Sequence, residues 1–179
     1  AASNNTGLGH EVFDDITTGD SNTAVGYQAM AANTTANSNV AVGRCALTTN
    51  TTGSNNTGTG NRALKLNLEG HRNTAVGSEA LCTNTTGDNN TGIGNCALLS
   101  NTTADSNTAV GYLALCANTT GTQNVALGDT ALDATTTGSY NTAVGNGALG
   151  ANTTGANNVA VGRTAGAANT TGARNTFLG

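Results

Sequence analysis

An asparagine recurs every 17 residues along the whole chain, with no insertion or deletion between copies. A glycine follows each asparagine four residues later, from Gly9 to Gly179. The consensus is N-T-A-V-G-x-x-A-L-x-x-N-T-T-G-x-x, and positions 1 to 17 of the repeat are counted from this asparagine. A strict period this short predicts a solenoid in which each repeat forms one coil. The coils are predicted to start at Asn5, Asn22, Asn39, Asn56, Asn73, Asn90, Asn107, Asn124, Asn141, Asn158 and Asn175.

The residue types within the repeat favour β-structure. A 17-residue coil is too short for a pair of helices with two connections, and Val, Thr, Ile and Leu recur at the same positions. The glycine at position 5 indicates a corner, and the absence of proline leaves every backbone donor available for pairing between coils. We therefore expect an all-β parallel solenoid (β-roll) of about ten coils, with two short strands per coil, over a single domain at residues 1–179.

The stretch ALKLNLEG, residues 63–70, predicts which side chains face the interior. Leu64, Leu66 and Leu68 alternate with polar residues, as in a strand with one buried face. Positions 9, 11 and 13 are then predicted inside and positions 10, 12 and 14 outside, with Ile16 at position 12 an exception in a terminal coil. In the N-T-A-V strand, positions 2 and 4 are predicted inside and position 3 outside.

These assignments place two stripes on the outer surface. The first is a threonine ladder at position 14: Thr35, Thr52, Thr86, Thr103, Thr120, Thr137, Thr154 and Thr171. The second is a stripe of small residues at position 3 that ends in an aromatic residue: Ala24, Ala41, Gly58, Ala75, Gly92, Ala109, Ala126, Ala143, Ala160 and Phe177. A flat bare stripe favours packing against other copies, and we expect a lateral trimer through it. Open rungs also favour end-to-end stacking into a filament.

The repeat resembles two known kinds of β-roll repeat. NVAVG at residues 39–43 and 158–162 resembles the S-V-A-I-G repeat of trimeric autotransporter adhesin heads. NTAVGYQAM and NTAVGSEAL resemble the N-T-A-V-G-x-x-A-L repeats of phage and bacterial tail-fibre-like proteins. The resemblance implies a trimeric parallel roll whose role is attachment, although the 17-residue coil is longer than the usual coil of the adhesin heads.

The predicted function is therefore a structural and adhesive rod of an extracellular fibre, filament or tail-fibre-like appendage on a cell or virion surface. Its predicted partners are further copies of the chain and a host surface receptor or glycan. The alternative function is ice binding through the outward Thr ladder, with Asn beside it. The six basic residues are scattered and the net charge is −4, which argues against nucleic acid as a partner. No apolar run approaches the length of a membrane span, so we expect no membrane insertion.

Residues able to support catalysis are few, and we predict no enzyme activity, no cofactor and no metal site. Asp14 and Asp15 lie near His10 in the first coil, where a polar cap explains them. Asp88 and Asp105 are one coil apart at position 16, which suits a solvated corner. Calcium-binding rolls use G-G-x-G-x-D repeats, and no aspartate recurs in this way here.

Four cysteines occupy two positions of the repeat: Cys45 and Cys96 lie at position 7, and Cys82 and Cys116 at position 10. Partners at the same position are separated by about 14 and 10 Å along the stack, beyond the roughly 7 Å that a disulfide spans. Cys82–Cys96 and Cys96–Cys116 lie on adjacent rungs and remain open as pairs, as do free thiols and intermolecular bridges.

N-T-T triplets recur at position 12 and have two interpretations. Each is formally a glycosylation sequon, and each also suits a strand followed by a corner. The structural interpretation is favoured. The asparagines concerned are Asn33, Asn50, Asn84, Asn101, Asn118, Asn152 and Asn169.

Overall fold

The computed structural model describes residues 1–179 and is an all-β parallel solenoid with one short strand per repeat. The 11 strands form one sheet in chain order, and each residue pairs with the residue 17 positions later, as Thr74 does with Thr91. The predicted period and stacking register are confirmed. The strands are β1 Thr6–Leu8, β2 Thr23–Val25, β3 Val40–Val42, β4 Thr57–Thr59, β5 Thr74–Val76, β6 Thr91–Ile93, β7 Thr108–Val110, β8 Val125–Leu127, β9 Thr142–Val144, β10 Val159–Val161 and β11 Thr176–Leu178.

The second strand predicted for each coil is absent. Residues 61–66 form successive turns, with Arg62 at φ 60° and Leu64 at φ 51°. The N–H of Lys65 donates to the carbonyl of Arg62 in the same coil (3.2 Å), whereas the N–H of Leu64 donates to Ala80 in the next coil (3.0 Å). Amides in this segment therefore alternate between partners in the same coil and in the next coil, which is a pattern of stacked turns and not of a strand.

The interior of the rod is narrow, and from the second to the ninth coil it contains one large, fully buried apolar side chain per coil. In the fifth coil this is Leu81, at position 9, which belongs to the same hydrophobic core as the fully buried Ala75 and Ala80, at positions 3 and 8. The predicted inward position 9 is confirmed. Positions 11 and 13 are not interior, because Leu66 and Leu68 remain 38% and 42% exposed.

The assignment of position 12 to the outer surface is wrong. Asn67 is fully buried, as are most asparagines at this position. Ile16 shares this position, and its side chain is half-buried. Ile16 is therefore no exception to the pattern, because position 12 points inward in every coil.

The assignment of the small-residue stripe to the surface is also wrong. Ala24, Ala41, Ala75, Ala109, Ala126, Ala143 and Ala160 are fully buried, Gly58 and Gly92 are buried, and Phe177 is half-buried. The reason is the small distance across the coil. A Cβ at Gly92 would lie 3.4 Å from Cγ of Leu81, so the opposite wall leaves room for a methyl group and little more. Position 3 therefore cannot form the predicted contact between copies.

The structure contains no helix, and thus none long and apolar enough to cross a membrane.

Candidate functional site

The outer face of the sheet is lined by the side chains at positions 2 and 4, here called the T-x-V face. It includes two residues from each of the 11 strands, and all of them are Thr, Val, Leu or Ile. The face is therefore uncharged over its whole length. Its residues are Thr6, Leu8, Thr23, Val25, Val40, Val42, Thr57, Thr59, Thr74, Val76, Thr91, Ile93, Thr108, Val110, Val125, Leu127, Thr142, Val144, Val159, Val161, Thr176 and Leu178.

This face displays larger apolar groups than the interior side of the same strands. Val76 and Ile93, at position 4, are 38% and 39% exposed. Ala75 and Gly92, which precede them at position 3, are buried. The prediction that positions 2 and 4 face inward is wrong, because the small distance across the coil favours alanine or glycine on the inner side of the strand. Apart from Leu66 and Leu68, every exposed large aliphatic side chain of the rod lies on the T-x-V face.

The threonine row at position 14 is exposed as predicted, from Thr35 to Thr171. It lies at a bend outside the sheet and provides one threonine per rung, except in the fourth coil, where Glu69 occupies the position. The threonine before it serves the backbone instead: Oγ1 of Thr85 donates to the carbonyl of Thr102 in the next coil (3.0 Å). Because Asn84 at position 12 is buried, the Asn expected beside this row is not on the surface.

The asparagines at position 1 form a buried ladder through the rod. Oδ1 of Asn73 accepts from the backbone N–H of Asn90 (2.9 Å), and Nδ2 of Asn90 donates to the carbonyl of Ala104 (2.8 Å). An amide suits this role because it both donates and accepts. The invariance of position 1 among the copies was the available sequence signal for this ladder.

A second ladder runs through position 12. Nδ2 of Asn84 donates to Oδ1 of Asn67 in the preceding coil (2.8 Å) and to the carbonyl of Gly87 (3.0 Å). The carbonyl of Gly87 also accepts from Nδ2 of Asn73 (2.7 Å), so the two ladders meet on one oxygen. These amides are engaged and buried in the folded rod, which supports the structural interpretation of the N-T-T triplets.

The second ladder is interrupted at Thr135. Oγ1 of Thr135 donates to the carbonyl of Asn152 (3.0 Å) and does not reach back to the preceding coil. Oδ1 of Asn118 is buried without a hydrogen-bond partner, as is Oδ1 of Asn33 at the start of the ladder, where Nδ2 of Asn50 donates only to the carbonyl of Gly53. An unpaired buried acceptor destabilises the folded state.

The acidic and histidine residues at position 16 form a third ladder near the surface. Nδ1 of His71 accepts from the N–H of Ser54 (2.9 Å), Oδ1 of Asp88 from the N–H of His71 (2.6 Å), and Oδ1 of Asp105 from the N–H of Asp88 (2.7 Å). Asp88 and Asp105, predicted to lie at a solvated corner, thus accept backbone hydrogen bonds from the preceding coil.

In the first coil, Asp14 and Asp15 are exposed. The His10 ring lies 3.5 Å from Glu11 through Nδ1 and stacks on Tyr27, with 5.8 Å between ring centroids. The structure shows no carboxylate of Asp14 or Asp15 bound to His10.

All four cysteines are free thiols in this structure. Burial raises the pKa of the Cys82, Cys96 and Cys116 thiols, and the Glu79 carboxylate raises it further at Cys96. The thiolate is the reactive form, so these residues are poor nucleophiles at neutral pH.

The surface has no pocket, and no group of three or more His, Cys, Asp or Glu side chains is arranged to hold a metal ion. No protein-family model, curated protein or solved structure matches the chain.

Proposed function

We propose that the chain is a structural rod of an extracellular fibre, filament or tail-fibre-like appendage on a cell or virion surface. The observation that carries the proposal is the unbroken stacking of the coils. Each residue of a strand pairs with its counterpart 17 residues later throughout the sheet. Strands about 4.8 Å apart make a rod of roughly 50 Å.

The hydrogen-bond pattern supports a mechanical role. Of 118 backbone hydrogen bonds, 98 lie outside the strands, and many of these join the turns of one coil to those of the next, as from Leu64 to Ala80 and from Leu66 to Cys82. The two buried asparagine ladders add side-chain bonds along the same axis, for example from Asn90 to Asn73 and from Asn84 to Asn67. Bending or stretching the rod would break several of these bonds at every coil.

Attachment to a host receptor or glycan, and trimerisation, belong to this proposal through the resemblance to adhesin heads. Burial of position 3 removes the surface first expected to join the copies. A lateral contact would need another face of the rod.

Immunogold electron microscopy tests the proposal directly. Antibodies raised against the purified chain are applied to intact and to permeabilised cells of the source organism, and to virions released from them. We expect label along surface appendages of intact cells or on virions. Label that appears only after permeabilisation contradicts the proposal.

A further inference from the structure

The T-x-V face repeats the same small groups in two directions. Along the rod, neighbouring strands lie about 4.8 Å apart, and across a strand positions 2 and 4 lie about 7 Å apart. Position 2 is Thr or Val, and position 4 is Val, Leu, Ile or Thr. The face is therefore a regularly repeating array of methyl and hydroxyl groups.

The chemistry of this face does not suit a charged or irregular partner. No amide, aromatic or charged side chain lies among its residues, from Thr6 to Leu178. Nucleic-acid binding depends on basic side chains, and protein interfaces are enriched in aromatic side chains and Arg, none of which this face provides. Water is different: it orders next to methyl groups and exchanges hydrogen bonds with hydroxyl groups.

The size of the face argues against a second copy as its occupant. A length of roughly 50 Å and a width of about 10 Å give an area near 500 Å². A stable protein interface buries about 800 Å² on each partner. The face is long enough to contact an extended lattice at many points, but too narrow for a stable dimer by itself.

From these observations we propose that the T-x-V face binds ice. Its ligand is water in a crystalline lattice, held over the threonine hydroxyls and the methyl groups of positions 2 and 4. The stacked coils keep these groups in place before binding, so little conformational entropy is lost on contact with ice. Many weak contacts on one rigid rod then act together. This activity goes beyond the structural role and does not depend on it.

The position 14 threonines provide a matched control within the same coil. Thr91 lies on the T-x-V face, and Thr103 is exposed at the bend outside the sheet. Thr91→Tyr places a bulky ring within this array, and Thr103→Tyr places the same ring outside it. Val76→Lys is a second variant of the face, because Val76 is 38% exposed and a lysine there points into solvent.

The experiment measures thermal hysteresis of the purified chain and adsorption of its fluorescently labelled form to a single ice crystal. Circular dichroism first establishes that each variant keeps the wild-type spectrum. We expect hysteresis and a labelled crystal for the wild type and for Thr103→Tyr. We expect Thr91→Tyr and Val76→Lys to lose most of both.

Three results would overturn the inference. One is a wild-type chain without hysteresis at high concentration. Another is an equal loss in Thr91→Tyr and Thr103→Tyr. The third is a wild-type chain that sediments as a dimer while Thr91→Tyr sediments as a monomer. That result would assign the face to contact with a second copy of the chain. None of these results bears on immunogold labelling, so the structural proposal is judged separately.

Discussion

At the scale of single residues, the backbone of each coil passes through the left-handed region at positions 7, 9 and 17. Glu79, Leu81 and Asn89 have φ of 59°, 51° and 59°. This conformation costs a residue other than glycine about 1–2 kcal/mol. At position 9 the cost is offset by burial of a leucine, which contributes about 1.5–3 kcal/mol. The side chains at position 7 are more exposed, so their burial offsets less of the cost of the left-handed conformation.

Thr130, at position 7, is the residue where this cost is easiest to measure. It is β-branched and has φ 52°, while Gly147 occupies the same position one coil later with φ 65°. We expect Thr130→Gly to raise the free energy of unfolding by about 1 kcal/mol, because glycine adopts this conformation without steric strain. Urea denaturation measures the change.

Gly147→Thr is the reciprocal control. A Cβ there would lie 3.5 Å from Cγ2 of Thr164, which is ordinary contact, so backbone strain is the main effect. It should lower the free energy of unfolding by a similar amount. A loss of stability in Thr130→Gly would contradict the assignment of strain to this position.

At the scale of structural elements, the ladders decide which substitutions a coil tolerates. Replacement of Thr135 by asparagine would complete the ladder at position 12, since Asn118 Oδ1 now lacks a donor. We expect Thr135→Asn to raise the free energy of unfolding by about 1–2 kcal/mol. Chemical denaturation measures this change. Asn101→Thr, in the intact part of the ladder, should lower the free energy of unfolding. Equal effects of the two substitutions would argue against the ladder as the cause.

Two glycines in β6 and at its end provide a second test. Gly94 has φ 132°, and a Cβ there would overlap the carbonyl oxygen of Gly111 in the next coil. We expect Gly94→Ala to destabilise the rod by about 3 kcal/mol.

Gly92→Ala adds the same methyl group two residues earlier, at position 3. The new Cβ would lie 3.2 Å from the carbonyl oxygen of Ala97, and alanine already occupies this position at Ala75 and Ala109. The change in stability should stay below about 1 kcal/mol. Thermal denaturation compares Gly94→Ala with Gly92→Ala. Similar losses of stability in the two variants would show that the corner at position 5 does not specifically require glycine.

At the scale of the whole molecule, stability is a sum of coils and contacts between neighbours, as in other solenoids. Removal of residues 107–123 deletes one complete coil of 17 residues and places Asn124 over Asn90. We expect this shortened rod to keep the β-type circular dichroism spectrum, with a lower denaturation midpoint.

Removal of residues 106–123 is the matched control. It deletes one residue more, so the joined coil lacks position 17 and cannot close in register. We expect a much larger loss of stability than for the complete coil. If the two deletions behave alike, register between coils is not what holds the rod together.

The prediction from sequence succeeded for Leu64 and failed for Leu66 and Leu68. All three alternate with polar residues, but only Leu64 is fully buried, because this segment folds as turns. The alternation did not identify the inner side of this segment, because Leu64 and Asn67 point inward whereas Leu66 and Leu68 are exposed. The asparagine ladders were missed because buried polar side chains are predicted only when their partners are known.

The sequence by itself determined the period, the parallel register and the glycine corner, because these follow from spacing along the chain. Which side of each strand faces inward was decided only by the tertiary structure. Ala75 and Val76 are both apolar, so hydrophobicity does not choose between them. The choice comes from the space across the coil, which leaves room for little more than a methyl group, as where Leu81 of one coil faces Gly92 of the next. That limit on volume is what places the larger side chains on the outer T-x-V face.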